Sequence, residues 1–134
     1  MRLTICMTAV LALCAYSSQA EAKAKPAKPG AEKATFQLNE TTWLFTDKKG
    51  VKVRESIDSD GNFVAKSRAG KDLDHGTSVM KEDKACFTSA TTNDGEVCWT
   101  TKPVKVGQSM HTVSDKGEKL TVTRVAYVKM SAPK

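Results

Sequence analysis

The chain has 134 residues, 40% of them hydrophobic and 6% aromatic, and its 21 Lys and Arg against 15 Asp and Glu give a formal net charge of +6. This length fits one domain of ordinary size. Positive and negative charges alternate along the chain, which argues against a nucleic-acid-binding protein with a continuous basic face. No apolar run is long enough to form a transmembrane helix.

Residues 1–20 have the organisation of a secretory signal peptide. Arg2 supplies the positive charge, an apolar stretch follows from Leu3 to Tyr16, and Ser18-Gln19-Ala20 gives the small-x-small pattern that signal peptidase requires. We predict cleavage after Ala20 and export to the periplasm or the medium.

Residues 21–34, EAKAKPAKPGAEKA, contain no apolar side chain larger than alanine. A segment of this composition cannot bury a core face, and its prolines favour an extended, solvated tether. We interpret it as a linker that acts as a spacer. The alternative is that its lysines contact an anionic envelope surface.

Residues 35–134 are predicted to form a single β domain, because polar quartets ending in glycine separate short runs rich in Val, Thr and aromatic residues. The quartets are Asp47–Gly50, Asp58–Gly61, Thr92–Gly95 and Ser114–Gly117. The runs are Trp43–Thr46, Val51–Ile57, Asn62–Ser67, Thr77–Lys81, Ala85–Ala90, Val97–Thr101, Val104–Met110 and Lys119–Val128. About eight short strands joined in this way predict an all-β fold, a small antiparallel barrel or sandwich.

Cleavage of the signal peptide removes Cys6 and Cys14 and leaves Cys86 and Cys98. Zinc sites and redox pairs usually need C-x2-C spacings, which are absent here. In an oxidising compartment the remaining pair is therefore predicted to form one structural disulfide.

The predicted disulfide conflicts with a tight turn at Thr92–Gly95, which would place the two cysteines four residues out of register. Because a disulfide has strict geometry, we expect a longer loop, about Ala90 to Asp94, or a β-bulge. Alternation in this hairpin predicts that Phe87 and Trp99 face the core. In the preceding run Val51–Ile57, Glu55 interrupts the apolar face, which we interpret as a strand end or a barrel mouth.

The densest group of polar residues with chemical potential is Asp72, Asp74 and His75. A carboxylate beside a histidine can orient a general base or a metal ligand, so this stretch is a candidate functional loop. A turn histidine that caps backbone groups is the alternative, since no nucleophile motif such as G-x-S-x-G accompanies it.

Two weaker metal patterns are also present. Asp58–Asn62 is similar to part of a calcium loop but lacks the distal glutamate, so a hairpin turn is favoured. Met110-His111 could bind copper, but the pattern fits a strand with Met110 facing the core and His111 facing out. We expect no metal and no cofactor.

Four stretches between Trp43 and Val125 resemble small exported proteins of alphaproteobacteria whose function is uncharacterised. The stretches are Ser56–Phe63, Asp74–Thr77, Lys84–Thr88 and Cys98–Thr100. This resemblance implies export and no catalytic residues. At the level of architecture, a small disulfide-linked barrel is also similar to bacterial lysozyme and metalloprotease inhibitors, whose contact motifs this chain lacks.

These observations favour an exported, monomeric binding or inhibitor-like module without catalytic activity, whose partner is an unidentified protein or envelope ligand. A small hydrolytic or metal-dependent enzyme centred on Asp72, Asp74 and His75 is the first alternative, and a structural envelope-associated protein is the second. A hollow barrel interior would indicate a small apolar ligand.

Overall fold

The computed structural model describes residues 36–134; the predicted signal peptide, residues 1–20, and the predicted linker, residues 21–34, lie outside the described residues. The described part contains eight strands and no helix. The strands are β1 (Thr41–Thr46), β2 (Lys52–Ile57), β3 (Asn62–Ser67), β4 (Asp72–Lys81), β5 (Lys84–Ser89), β6 (Glu96–Thr100), β7 (Ser109–Val113) and β8 (Lys119–Val125). The prediction of an all-β domain with eight short strands is confirmed.

The strands form one antiparallel sheet in the order β6-β5-β4-β3-β2-β1-β8-β7, which curls into a nearly closed barrel. The seam lies between β6 and β7, where Trp99 and Ser114 form an isolated bridge. Three hydrogen bonds also hold the seam. The amide of Asp115 donates to the carbonyl of Cys98 at 2.9 Å, the Thr112 hydroxyl donates to the carbonyl of Thr100 at 2.6 Å, and the amide of Val113 donates to the Thr100 hydroxyl at 3.0 Å. The architecture is a barrel and not an open sandwich.

Polar residues at the start of the tight turns fix the hairpins. The Asp47 carboxylate accepts the amides of Lys49 and Val51, each at 2.8 Å, and the amide of Gly50 closes the turn onto the Asp47 carbonyl at 3.0 Å. Gly50 has a φ of 83°, a conformation that costs little only for glycine. Asp58–Gly61 and Ser114–Gly117 close in the same way, and so does Ser67–Gly70, a turn that the sequence analysis missed.

The fourth predicted quartet, Thr92–Gly95, does not form a tight hairpin turn. Thr88 faces Glu96 in the last pair of the β5–β6 ladder, and the loop between the two strands runs from residue 90 to residue 95. This longer loop places Cys86 directly opposite Cys98, and their sulfurs are bonded. The predicted disulfide is confirmed, and the register conflict is resolved by loop length.

Three strands, β4, β7 and β8, differ from their predicted bounds by three residues or more. β4 begins at Asp72 and not at Thr77, because residues that look like a turn pair with β3 instead. β7 begins at Ser109, because the turn before it, closed by Gln108 N–H on the Lys105 carbonyl at 3.0 Å, interrupts the apolar run. β8 ends at Val125, and the chain beyond it leaves the ladder: the amide of Val128 donates to the Thr42 hydroxyl at 2.8 Å.

The solid core occupies only part of the barrel interior. Its buried members are Leu38, Trp43, Ile57, Phe63, Ala85, Val104, Met110 and Val122. Phe45, Phe87 and Leu120 pack against this cluster but stay partly exposed. The core therefore fills only one region of the barrel, and most of its members also border open space.

Candidate functional site

The most prominent feature inside the barrel is a cavity of about 290 Å³. Its wall carries five aromatic side chains, Trp43, Phe45, Phe63, Phe87 and Trp99. All five come from inward positions of strands β1, β3, β5 and β6, which alternation places on the same face of the sheet. Phe87 and Trp99 point to the inside of the barrel as predicted, but there they line the cavity.

Glu55 is the one charged side chain that lies in the middle of a strand ladder on the cavity wall. On β2 it faces Trp43 of β1 on one side and Ala65 of β3 on the other. The interpretation of Glu55 as a strand-end residue was wrong, since it lies in the middle of β2. Glu55 is half-buried, and the surface it keeps accessible borders the cavity, so protein surrounds its carboxyl group.

Burial, and to a smaller extent the negative charge of Asp74, together raise the pKa of Glu55 from 4.5 to about 8. Among the described residues, no group donates a hydrogen bond to the Glu55 side chain, and no cation within 4.0 Å pairs with it. At neutral pH Glu55 is therefore mostly protonated and carries an O–H group into the cavity.

Asp74 also lines the cavity, and its position is fixed by hydrogen bonds. One carboxylate oxygen accepts the hydroxyls of Ser89 and Thr91, each at 2.6 Å, and the amide of His75 at 2.8 Å. Asp74 faces Ala65 on β3, which in turn faces Glu55. The Cα atoms of Glu55 and Asp74 are therefore two strand spacings, or about 10 Å, apart. Only the methyl group of Ala65 lies between their side chains in this row.

Gly76 explains how Phe63 reaches the cavity wall. A Cβ atom at Gly76 would lie 2.0 Å from the carbonyl oxygen of Thr88 and 2.9 Å from the Phe63 ring. The ring thus covers the backbone of Gly76, its direct cross-strand neighbour. Glycine at this position lets the aromatic side chain lie flat against β4, next to Asp74.

The three predicted site residues Asp72, Asp74 and His75 do not come together. They lie at the start of β4 and not on a loop, which corrects that part of the prediction. A register shift after Ala65 pairs Asp72 with Lys66, and the two side chains form an ion pair at 3.0 Å. Asp74 lines the cavity, whereas His75 takes the next position on the strand and so faces away from it.

The candidate metal ligands are also dispersed or used elsewhere. Cys86, Glu96 and Cys98 lie close together, but both sulfurs belong to the disulfide and offer no thiolate. The Asp58 carboxylate accepts the amides of Asp60 and Asn62 at 2.9 Å, as a turn residue does. His111 faces outward onto the Thr121 hydroxyl, at 2.9 Å, while Met110 is buried on the opposite face.

The rim of the cavity is formed partly by Asp94 in the β5–β6 loop and by Glu118 at the start of the last hairpin strand. Lys48 pairs with Glu118 at 2.8 Å, and the Lys116 ammonium donates to the backbone carbonyl of Asp94 at 3.3 Å. Neither lysine lines the cavity. With Glu55 and Asp74, four acidic residues border this space.

Sequence reasoning noticed Glu55 as an interruption of an apolar face but missed its role. The missed signal was an acid at an inward position with apolar neighbours two residues away on both sides, Val53 and Ile57. Such a residue must either be paired or border an open space, since an isolated buried carboxylate is costly.

Comparison with protein-family models, with curated proteins and with solved structures finds no match to this chain. None of the residues from 36 to 134 belongs to a helix that could cross a membrane.

Proposed function

We propose that this protein is an exported binding module that holds a small, largely apolar molecule inside its barrel and catalyses no reaction on it. The observation that carries this proposal is the aromatic cavity of about 290 Å³. Ligand sites in proteins are typically concave and apolar, with a few polar groups that orient the ligand. Here Glu55 and Asp74 are polar groups of that kind.

The wall of the cavity is suited to binding without large rearrangement. Seven of the eight possible junctions between strands are full antiparallel ladders, and the disulfide joins β5 to β6 beside the seam. A rigid wall reduces the ordering cost of binding a small molecule. Export is supported by the signal pattern of residues 1–20 and by the disulfide, which is typical of oxidising compartments.

A neutral fluorescent probe, N-phenyl-1-naphthylamine, tests this function. We expect the purified mature protein to bind one probe per chain with increased probe emission. Val97→Trp should weaken this binding at least tenfold, because Val97 lines the cavity and a larger side chain occupies its space. The matched control is Val79→Trp: Val79 is 48% exposed on the outer face and should leave probe binding unchanged. Absence of binding, or equal loss in both variants, would refute the proposal.

A second candidate function is acid–base catalysis inside the same cavity. Glu55 keeps its proton at neutral pH while Asp74 carries a negative charge, and such a pair can act as general acid and general base. This pair replaces the Asp72, Asp74 and His75 group of the first alternative. A panel of activated esters and glycosides tests it: turnover that is lost in both Glu55→Gln and Asp74→Asn supports catalysis, and an inert wild type rejects it.

The structural envelope role remains a prediction that concerns residues 21–34. Deleting residues 23–33 should release the protein from the envelope fraction if the lysines of this segment contact an anionic surface. Unchanged fractionation would leave the segment with the role of a spacer.

A further inference from the structure

We propose that the ligand of the barrel cavity is a small organic cation with an apolar body, such as a substituted amine or a quaternary ammonium compound. This inference rests on the proposed binding function and specifies its ligand class. The cationic group would lie between Glu55 and Asp74, and the apolar body would contact the aromatic wall.

The first argument is the sign of the charges around the cavity. Glu55, Asp74, Asp94 and Glu118 border it, whereas no Lys, Arg or His does. The whole chain has the opposite balance, with 21 basic against 15 acidic residues. A cavity with low-dielectric walls concentrates the field of the charges that line it. Because Glu118 is already paired with Lys48, the acids that remain to attract a cation are Asp74, Asp94 and, once it has lost its proton, Glu55.

The second argument is the aromatic wall. Five aromatic residues line the cavity that Glu55 and Asp74 also border, and the faces of Trp, Tyr and Phe rings attract cations within about 6 Å of their centres. Cages of aromatic rings combined with a carboxylate are well suited to alkylated ammonium groups, which are too bulky for a closely fitting ion pair. A purely apolar ligand would use the rings but would give Glu55 no partner.

The third argument is the unpartnered state of Glu55. Within residues 36–134 its carboxyl group has neither a hydrogen-bond donor nor an ion-pair partner, although protein surrounds it. The basic residue nearest in the ladder is Arg124, which lies beyond Trp43 in the same row. Its Nη1 donates to the Val104 carbonyl at 2.9 Å and its guanidinium lies 5.8 Å from the centre of the Phe36 ring. Its Nε is buried without a hydrogen-bond partner among the described residues, and Arg124 forms no ion pair with Glu55.

Binding of a cation should be coupled to loss of a proton from Glu55. Trp43 from β1 and Ala65 from β3 face Glu55, and Asp74 from β4 lies beyond Ala65 in the same row. The other titratable groups on the wall are Asp94 and Glu118. None of them supplies a positive charge, so a positive charge that favours the ionised form of Glu55 has to come from the ligand. Below the pKa of about 8 the cation competes with the proton, and its affinity should rise up to about tenfold per pH unit. Above that value it should level off.

The test uses two probes of similar size and opposite charge, benzyltrimethylammonium and phenylacetate, together with the neutral naphthylamine probe. Calorimetry with the mature wild-type protein at pH 7 and pH 9 should show binding of the ammonium compound at least tenfold tighter than binding of phenylacetate. Ammonium binding should be tighter at pH 9. In buffers of different ionisation enthalpy, the data at pH 7 should reveal release of up to one proton per bound cation.

Glu55→Gln tests the role of the carboxyl group without changing its shape. This variant should lose at least tenfold in affinity for the ammonium compound at pH 9 and should lose most of the pH dependence, because a charged hydrogen bond or ion pair is removed. The exposed Glu40→Gln is the matched control and should behave as the wild type. Binding of the neutral probe should survive in both variants.

The outcomes separate the ligand class from the binding function. If the neutral probe binds but the ammonium compound binds no better than phenylacetate, the cation inference is wrong and the binding module remains. If affinity for the ammonium compound does not change with pH or with Glu55→Gln, the site assigned to the cation is wrong. If neither the neutral probe nor the ammonium compound binds, both proposals fail.

Discussion

Glu55→Gln should make the protein more stable above pH 7, although it replaces a residue of the proposed binding site. In the folded state the pKa of Glu55 is raised from 4.5 to about 8, first by burial and then by the charge of Asp74. A group whose folded-state pKa is raised contributes its full stability below the unfolded-state pKa and loses it as the pH rises. For Glu55 this loss begins near pH 4.5 and is complete somewhat above pH 8.

The size of this stability loss follows from the two pKa values of Glu55, 4.5 and about 8. Each pKa unit corresponds to about 1.4 kcal/mol, so ionising Glu55 in the folded state costs at most about 5 kcal/mol of unfolding free energy. Domains of this size are usually stable by about 5–15 kcal/mol. The wild type should therefore lose a large share of its stability between pH 5 and pH 9, whereas Glu55→Gln should lose little.

Urea unfolding at several pH values between 4.5 and 9 measures this difference. The fluorescence of Trp43 and Trp99 reports on the same region, since both side chains border the cavity. The difference between the unfolding free energies of wild type and Glu55→Gln at each pH cancels the contribution of the other titrating groups. The exposed Glu40→Gln should give the wild-type curve. Parallel curves for wild type and Glu55→Gln, or a variant less stable than wild type at pH 9, would refute a raised pKa at this site.

Three further predictions concern the scaffold. Replacing Cys86 and Cys98 together by serine should lower the unfolding free energy by about 2–4 kcal/mol, measured by urea unfolding, and mass spectrometry with and without reduction should show no free thiol in the wild type. Gly76→Ala should destabilise by about 3 kcal/mol or more, because its new Cβ would meet the Thr88 carbonyl; a near-neutral melting shift would contradict that contact. Asp58→Ala should cost about 1 kcal/mol at pH 7 through lost turn hydrogen bonds. Burial opposes ionisation of Asp58, but those bonds lower its pKa below the usual 3.8, so the difference from wild type should shrink as the pH falls below that value in acid titration.

The turns were predictable because their chemistry is local. Asp47, Asp58 and Ser114 each bind amides two and four residues further along the chain, and a glycine at the fourth position takes the required conformation. Nothing outside five consecutive residues is needed for such a turn. The disulfide was predictable for a similar reason, since the predicted mature chain keeps one pair, Cys86 and Cys98.

The start of β4 was not predictable because distant residues decide it. Asp72–Gly76 has the composition of a turn, yet the stretch pairs with β3 through an irregular register and lies under the ring of Phe63. Asp74 also needs Ser89 and Thr91, which are 15 and 17 residues away, to hold its carboxylate. Local composition contains no information about these partners, so it cannot distinguish a polar strand from a loop.

The cavity depends on still more of the chain, since eight strands together decide whether the barrel interior is full. Alternation predicts which side chains point inward, but not whether their summed volume fills the space that the closed sheet encloses. Glu55 links the inward-pointing pattern of the strands to the question of whether the interior is filled. An interior filled by apolar side chains would leave its carboxyl group unsolvated and unpaired at a high cost, whereas a cavity gives it room for water or for a ligand. An unpaired acid at an inward position is therefore most easily explained if the interior of the barrel, and not its outer surface, is where this protein binds.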